Sequence, residues 1–197
     1  MSFRILSILN FIFLVGCSAG ESHKADQLFN QGKYDEAIVA YSHFMEENPR
    51  DVSALYNRGR AYEELSNFEK AEEDFKKVIK LDEKNVNANL SLAKLYYERG
   101  EYSRALVYSE NALEINENSA DGYFLLGRAQ HQLGYVDGAM ESYTLAIKIN
   151  RDYGEAYLYR GALKIYKKQT RSACEDFKKA ENLEVPDAAT IRKTYCN

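Results

Sequence analysis

The sequence predicts an all-α solenoid, a row of helix-turn-helix units stacked along one axis. Three observations predict it. Ala37, Ala71, Ala105, Ala139 and Ala173 stand 34 residues apart in one unbroken register, and self-similarity at such a period marks a repeat array. Within a unit the apolar residues recur at spacings of 3 and 4, as in Ala71, Phe75, Val78 and Ile79, which is helical periodicity. The 197 residues hold two Pro and no Trp, are 45% hydrophobic and 28% charged, and are rich in Ala, Glu, Lys and Leu, which favour helix. A formal charge of −4 leaves no basic field to hold nucleic acid.

Taken from the start, the chain opens on an apolar segment. Arg4 is the only charge before Glu21, and nine of the eleven residues from 5 to 15 are apolar. A membrane-spanning helix needs roughly 20 such residues, so this run reads as a secretory signal. Its end, Leu14-Val15-Gly16-Cys17, resembles the lipobox of bacterial lipoproteins, in which the Cys is acylated and becomes the new N-terminus. That resemblance implies loss of residues 1–16, a lipid anchor on Cys17 and a tether over 17–21. It also implies a place in a bacterial envelope, facing the periplasm. Ser18 is not a strong inner-membrane retention signal, which favours the outer membrane. The same residues also fit an ordinary cleaved signal or an uncleaved anchor.

Five units follow, over about 18–51, 52–85, 86–119, 120–153 and 154–187. Twelve residues before each recurring alanine stand Ala25, Gly59, Ala93, Gly127 and Gly161, small enough for two helices to approach closely. Four residues after it stand Tyr41, Phe75, Ser109, Tyr143 and Phe177, four of them aromatic and suited to filling the gap between helices. Gly32, Ser66-Asn67, Gly100 and Gly134 mark turns inside units; Asn48-Pro49, Asp82-Glu83 and Asn116-Glu117 mark turns between them. The first helix is expected to start late, near Ser22, so the array runs over 22–187. Glu181 stands where earlier units have Ile, Leu or Met. After Pro186-Asp187, residues 188–197 mix Ile191 and Tyr195 with Arg192 and Lys193, as expected of a cap helix with one apolar face.

Leu55, Gly59, Tyr62, Phe68, Ala71 and Phe75 in the second unit, and Tyr123, Leu126-Gly127, Ala139, Tyr143 and Ala146 in the fourth, resemble the signature of the tetratricopeptide repeat (TPR) family. The resemblance implies a right-handed solenoid whose first helices line a concave face that binds a partner protein or peptide. On this chain that face holds Tyr56, Asn57, Arg60, Leu90, Lys94, Tyr97, Phe124, Arg128, His131, Leu158, Tyr159 and Tyr166. Arg60, Lys94 and Arg128 occupy one repeat position in three consecutive units and are expected to form a cationic ladder. Tyr56, Tyr97, Phe124 and Tyr159 flank it, and Arg and aromatic side chains are frequent binding hot spots. Such a groove suits an acidic, partly apolar peptide. The same cations also fit plain helix-face pairs with Glu63, Glu64 or Glu98. Some members of the family clamp a terminal carboxylate; Asn57 fits that pattern, but Tyr56, Asn87, Ser91, Asp121 and Leu125 do not.

No catalytic, metal-binding or cofactor residues are expected. His23, His43 and His131 fall in different units, and none has a Cys or second His at i+3 or i+4, so zinc spacing is missing. The acidic runs Glu46-Glu47, Glu63-Glu64 and Glu72-Glu73-Asp74 read as solvated faces. With Cys17 assigned to lipid, Cys174 and Cys196 remain. Export would place them where a disulfide persists, and the cap helix would carry Cys196 back toward Cys174. A bridge and two free thiols both stay open. The expected function is a lipid-anchored adaptor that holds another protein near the membrane; the alternative is a structural subunit that self-associates through its repeat surface.

Overall fold

A computed structural model describes residues 18–196. The apolar opening segment, Cys17 and Asn197 lie outside the described residues. Eleven helices and no strand are found among the described residues. They pair as α1 (Ser18–Asn30) with α2 (Tyr34–Glu47), α3 (Val52–Glu64) with α4 (Phe68–Leu81), and α5 (Val86–Glu98) with α6 (Tyr102–Ile115). Two more pairs follow, α7 (Ala120–Gln132) with α8 (Val136–Ile149) and α9 (Gly154–Tyr166) with α10 (Thr170–Asn182), and α11 (Ala188–Tyr195) ends the array. Each helix packs on the next, and first helices also touch one another, α1 on α3 and α5 on α7. That second contact aligns the first helices along one face.

The period is visible in the packing. The recurring alanines are each at most 1% exposed, so no larger side chain fits there. Tyr41, Phe75, Tyr143 and Phe177 are fully buried beside them, each contributing roughly 2–3 kcal/mol by burial. A Cβ on Gly59 would sit 2.7 Å from the Phe75 ring, and one on Gly127 2.7 Å from the Tyr143 ring. The third unit solves the same contact differently, pairing Ala93 with Ser109, whose hydroxyl donates to the Ala105 carbonyl. Within every unit the turn passes through one left-handed residue at a fixed place: Gly32, Ser66, Gly100, Gly134 and Lys168, with φ between 56° and 81°. Gly takes that conformation without a Cβ clash; Ser66 and Lys168 hold it at a cost of about 1 kcal/mol.

The first helices of three units start on a side-chain cap. Asp51, Asn85 and Ser119, again 34 residues apart, accept from the backbone N–H of Ala54, Ala88 and Gly122, satisfying donors a helix start leaves free. The fifth unit has Tyr153 there, with no cap bond.

Two expectations need correction. α1 begins at Ser18, not near Ser22, because one Gly costs only about 1 kcal/mol inside a helix and no Pro breaks the turn. Residues 18–21 are therefore helical rather than an extended tether. The acidic runs are not all solvated: Glu63 is 8% and Asp74 2% exposed. Asp74 accepts two bonds from Arg58 at 2.8 Å, and Arg58 also donates to Ser42 of the preceding unit. The fifth unit repeats this arrangement, with Arg160 donating twice to Asp176 and once to Thr144. The end of the array is as expected: α11 folds back as a cap with Ala188 buried, Glu181 pairs with Arg192 of α11, and Cys174 is bonded to Cys196.

Candidate functional site

A groove pocket of about 420 Å³ crosses the first helices of three units. α3 supplies Tyr56, Arg60 and Glu63; α5 supplies Asn87, Leu90, Ser91 and Lys94; α7 supplies Asp121, Phe124, Leu125 and Arg128, and Tyr153 closes the end before α9. Within each helix these residues are three or four apart and so share one face. Across helices, Tyr56, Leu90 and Phe124 form one row and Arg60, Lys94 and Arg128 the next.

The cationic row is largely neutralised from within. The buried Glu63 carboxylate lies 2.7 Å from Lys94 Nζ and 3.1 Å from Arg60 Nε, and Glu64 lies 3.7 Å from Arg60. Burial, the largest single effect, would lower the Lys94 pKa, but the bond Lys94 donates to Glu63 and the charges of Glu63 and Glu98 together outweigh it and the net shift is upward. Burial likewise opposes the Arg60 charge, and Tyr56, Glu63 and Glu64 overcome it. Arg128 differs. It makes no ion pair or hydrogen bond among the described residues; its Nε, like that of Arg60, is buried without a hydrogen-bond partner, but no carboxylate stands at ion-pair distance from it as Glu63 does from Arg60. Aromatics hold it instead: its guanidinium carbon lies 3.8 Å from the Tyr97 ring centre, 5.8 Å from Phe124 and 5.9 Å from Tyr159.

Tyr153 completes this corner. Its ring centre is 4.8 Å from that of Phe124, and its hydroxyl donates to Asp121 Oδ1 at 2.8 Å. Burial, then Asp121, pushes its pKa far above the ordinary phenol value, so it stays a donor. Beneath Arg128, Tyr143 is fully buried and its hydroxyl has no partner.

Of the residues predicted for the groove, Tyr56, Arg60, Leu90, Lys94, Phe124 and Arg128 line the pocket. Tyr97 and Tyr159 lie against Arg128. Asn57 turns to the first unit and donates to Asp26, which also accepts from Tyr41. His131 is half-buried outside the pocket, and burial lowers its pKa. Glu63 and Tyr153 were missed as lining residues. Glu63 occupies the place of Tyr97 one unit earlier, and Tyr153 the place of three capping residues; both departures are readable.

A second pocket, about 510 Å³, lies on the end face of the first unit, with Leu28, Val39 and Ala40 on its floor. Ala40 holds the register of Asp74 and Lys24 that of Arg58, so this is the face that later units cover with the preceding helix. No group of acidic, His and Cys residues suited to a metal occurs among the described residues. No described helix is long and apolar enough to cross a membrane.

Five helix-turn-helix units with first helices facing one groove define an α-helical repeat protein. The chain belongs to the tetratricopeptide repeat family: the models described as Tetratricopeptide repeat match residues 52–85 and 120–153, and that described as TPR repeat matches 25–66 and 93–134. Hsp70-Hsp90 organizing protein 3 of Arabidopsis thaliana is 37% identical over 62 residues, which are 32% of this chain and 11% of that protein. The chain thus matches only about a tenth of the length of these curated relatives. Among solved structures, the crystal structure of MamA is similar at 28% identity and a TM-score of 0.74, covering 84% of this chain and 96% of that one. YrrB, described as a TPR protein with an unusual peptide-binding site, has 21% identity and a TM-score of 0.71, covering 90% and 92%; at that identity the likeness is one of fold.

Proposed function

We propose that this protein is an adaptor that binds a segment of another protein in the groove across α3, α5 and α7, and that acyl chains on Cys17 hold it at a bacterial envelope membrane. The observation that carries the groove reading is Arg128, a cation stacked on Tyr97 with no internal counter-charge. A stacked guanidinium is already ordered, so binding immobilises it at little further entropic cost. Leu90, Leu125 and Phe124 offer apolar surface beside it. The peptide-binding description of YrrB and the kinship with organizing proteins support a protein partner. The anchor rests on the resemblance of Leu14-Val15-Gly16-Cys17 to a lipobox; two acyl chains suffice for stable membrane attachment. The envelope role and the periplasmic face of the outer membrane follow from that anchor.

Self-association is the second reading. Val39, 69% exposed on the end face of the first unit, favours it. Crosslinking in membranes followed by affinity purification separates the two. A stoichiometric foreign partner, reduced when Arg128 is replaced, supports the adaptor. Recovery of self-copies alone supports the subunit. Fractionation of a Cys17→Ser variant tests the anchor: it should leave the membrane fraction, and retention there would exclude lipid attachment at this residue.

A further inference from the structure

We infer that Arg128 receives one side-chain carboxylate from an internal, extended segment of the partner, with an apolar neighbour of that acid seated on Leu90 and Leu125. The inference rests on the groove reading above and deepens it. Three features select a single acid over an acidic run. Arg60 and Lys94 already have their charges paired, Arg60 with Glu63 and Glu64 and Lys94 with Glu63. Glu63 and Asp121 put two carboxylates into the pocket wall, so a second ligand acid there meets like charge. Arg128 alone lacks a counter-ion, and its planar fork matches a carboxylate with two parallel bonds.

The surroundings agree. Tyr143 buries a hydroxyl without a partner, with its ring stacked 5.9 Å from that of Tyr159, which itself lies against Arg128. Tyr153 gives up the capping role held by Asp51, Asn85 and Ser119 and instead packs on Phe124 and bonds Asp121. A local rule broken at a wall of the pocket, with no gain to the helix it should cap, fits selection for the pocket. The positions at which some family members clamp a terminal carboxylate hold Tyr56, Asn87, Ser91, Asp121 and Leu125 here, which do not suit that role, so the carboxylate taken by Arg128 is a side chain's and not a chain end's.

Random peptides of about twelve residues, displayed with fixed flanks so that neither terminus is free, test this on the full chain. Enriched sequences should carry one Asp or Glu next to a large apolar residue. For the leading synthetic peptide with blocked ends, changing that acid to its amide should weaken binding tenfold or more. The same change should have no effect on binding to Arg128→Met, and Arg128→Lys should recover only part of the loss. Arg60→Met and Lys94→Met should shift affinity less than threefold. Groove binders without an acid, or a loss spread equally over Arg60, Lys94 and Arg128, overturn the single-acid inference and leave the groove reading standing. Binders that no groove replacement affects overturn both.

Discussion

The guanidinium carbon of Arg128 lies 3.8 Å from the centre of the Tyr97 ring, joining the first helices of the third and fourth units. The contact is a cation–π stack, worth about 0.5–2 kcal/mol, set against the burial of an unpaired Nε. Those two effects oppose each other. Arg128→Met keeps an adaptable apolar stem on the same rings and is expected to change stability by less than about 1 kcal/mol. Partner binding should nonetheless be lost. A chemical unfolding free energy that drops by several kcal/mol would make Arg128 a structural residue instead.

Tyr153→Asp should separate stability from function. It restores the cap that α9 lacks, for a gain of about 1 kcal/mol, and it removes the ring on Phe124 and the donor to Asp121. A higher melting temperature with weaker groove binding is expected. A lower melting temperature would show that the Phe124 stack outweighs the missing cap.

The bond between Arg58 and Asp74 is expected to be costly to break and cheap to replace. Arg58→Met strips the buried Asp74 of both its hydrogen bonds and leaves only Lys77, 3.9 Å away, as a counter-charge, at about 3 kcal/mol. The middle units carry Leu92 with Tyr108 and Leu126 with Ser142 at the same two positions. Replacing both residues, Arg58→Leu with Asp74→Ser, should therefore recover most of the loss. Thermal unfolding of the two singles and the double measures this coupling; additive losses would contradict it.

Acid should loosen the outer surface through Glu72. Burial on its own would raise this carboxyl, but Lys76, Tyr96 and Arg99 hold it below its ordinary 4.5. The folded state thus favours the charged form. That stabilisation is present above the unfolded value and lost as pH falls through the lower folded value. Stability measured from pH 6 downward should fall less steeply below about 4.5 in Glu72→Gln than in the natural chain; parallel curves would remove Glu72 from the account.

The last unit depends on its cap. A bridge between Cys174 and Cys196 closes 22 residues of separation, and such a closure contributes about 3 kcal/mol in the chain-entropy model. Reduction, or Cys196→Ser, should lower stability by about that amount and expose α10 to proteolysis first. Two alkylatable thiols at these positions in the unreduced protein would exclude the bridge.

The fold was legible because one 34-residue register fixes helices, turns and close contacts together. Ala71 and Gly59 each announce a packing role that four other units repeat, and Phe75 one that three others repeat. Single-unit choices were harder to read. Arg60, Lys94 and Arg128 share a register, which suggested three equal cations. Whether each is free depends on the residue three positions on and its counterpart one unit earlier: Glu63 pairs both Arg60 in its own unit and Lys94 in the next, while Arg128 has His131 and Tyr97 at those two places. Asp74 looked solvated inside an acidic run, since nothing local shows that Arg58, 16 residues earlier, faces it. The recurrence of the same pair as Arg160 and Asp176 was the available signal. The start of α1 was misplaced because a Gly near a helix end weakens the helix without stopping it.

Site-specific photocrosslinking from Leu90, within membranes of cells making the full chain, tests the central claim most directly. The account predicts a discrete adduct with a foreign protein that disappears in Arg128→Met and persists in Arg60→Met. Adducts with copies of this chain alone, or a foreign adduct indifferent to Arg128, would contradict it.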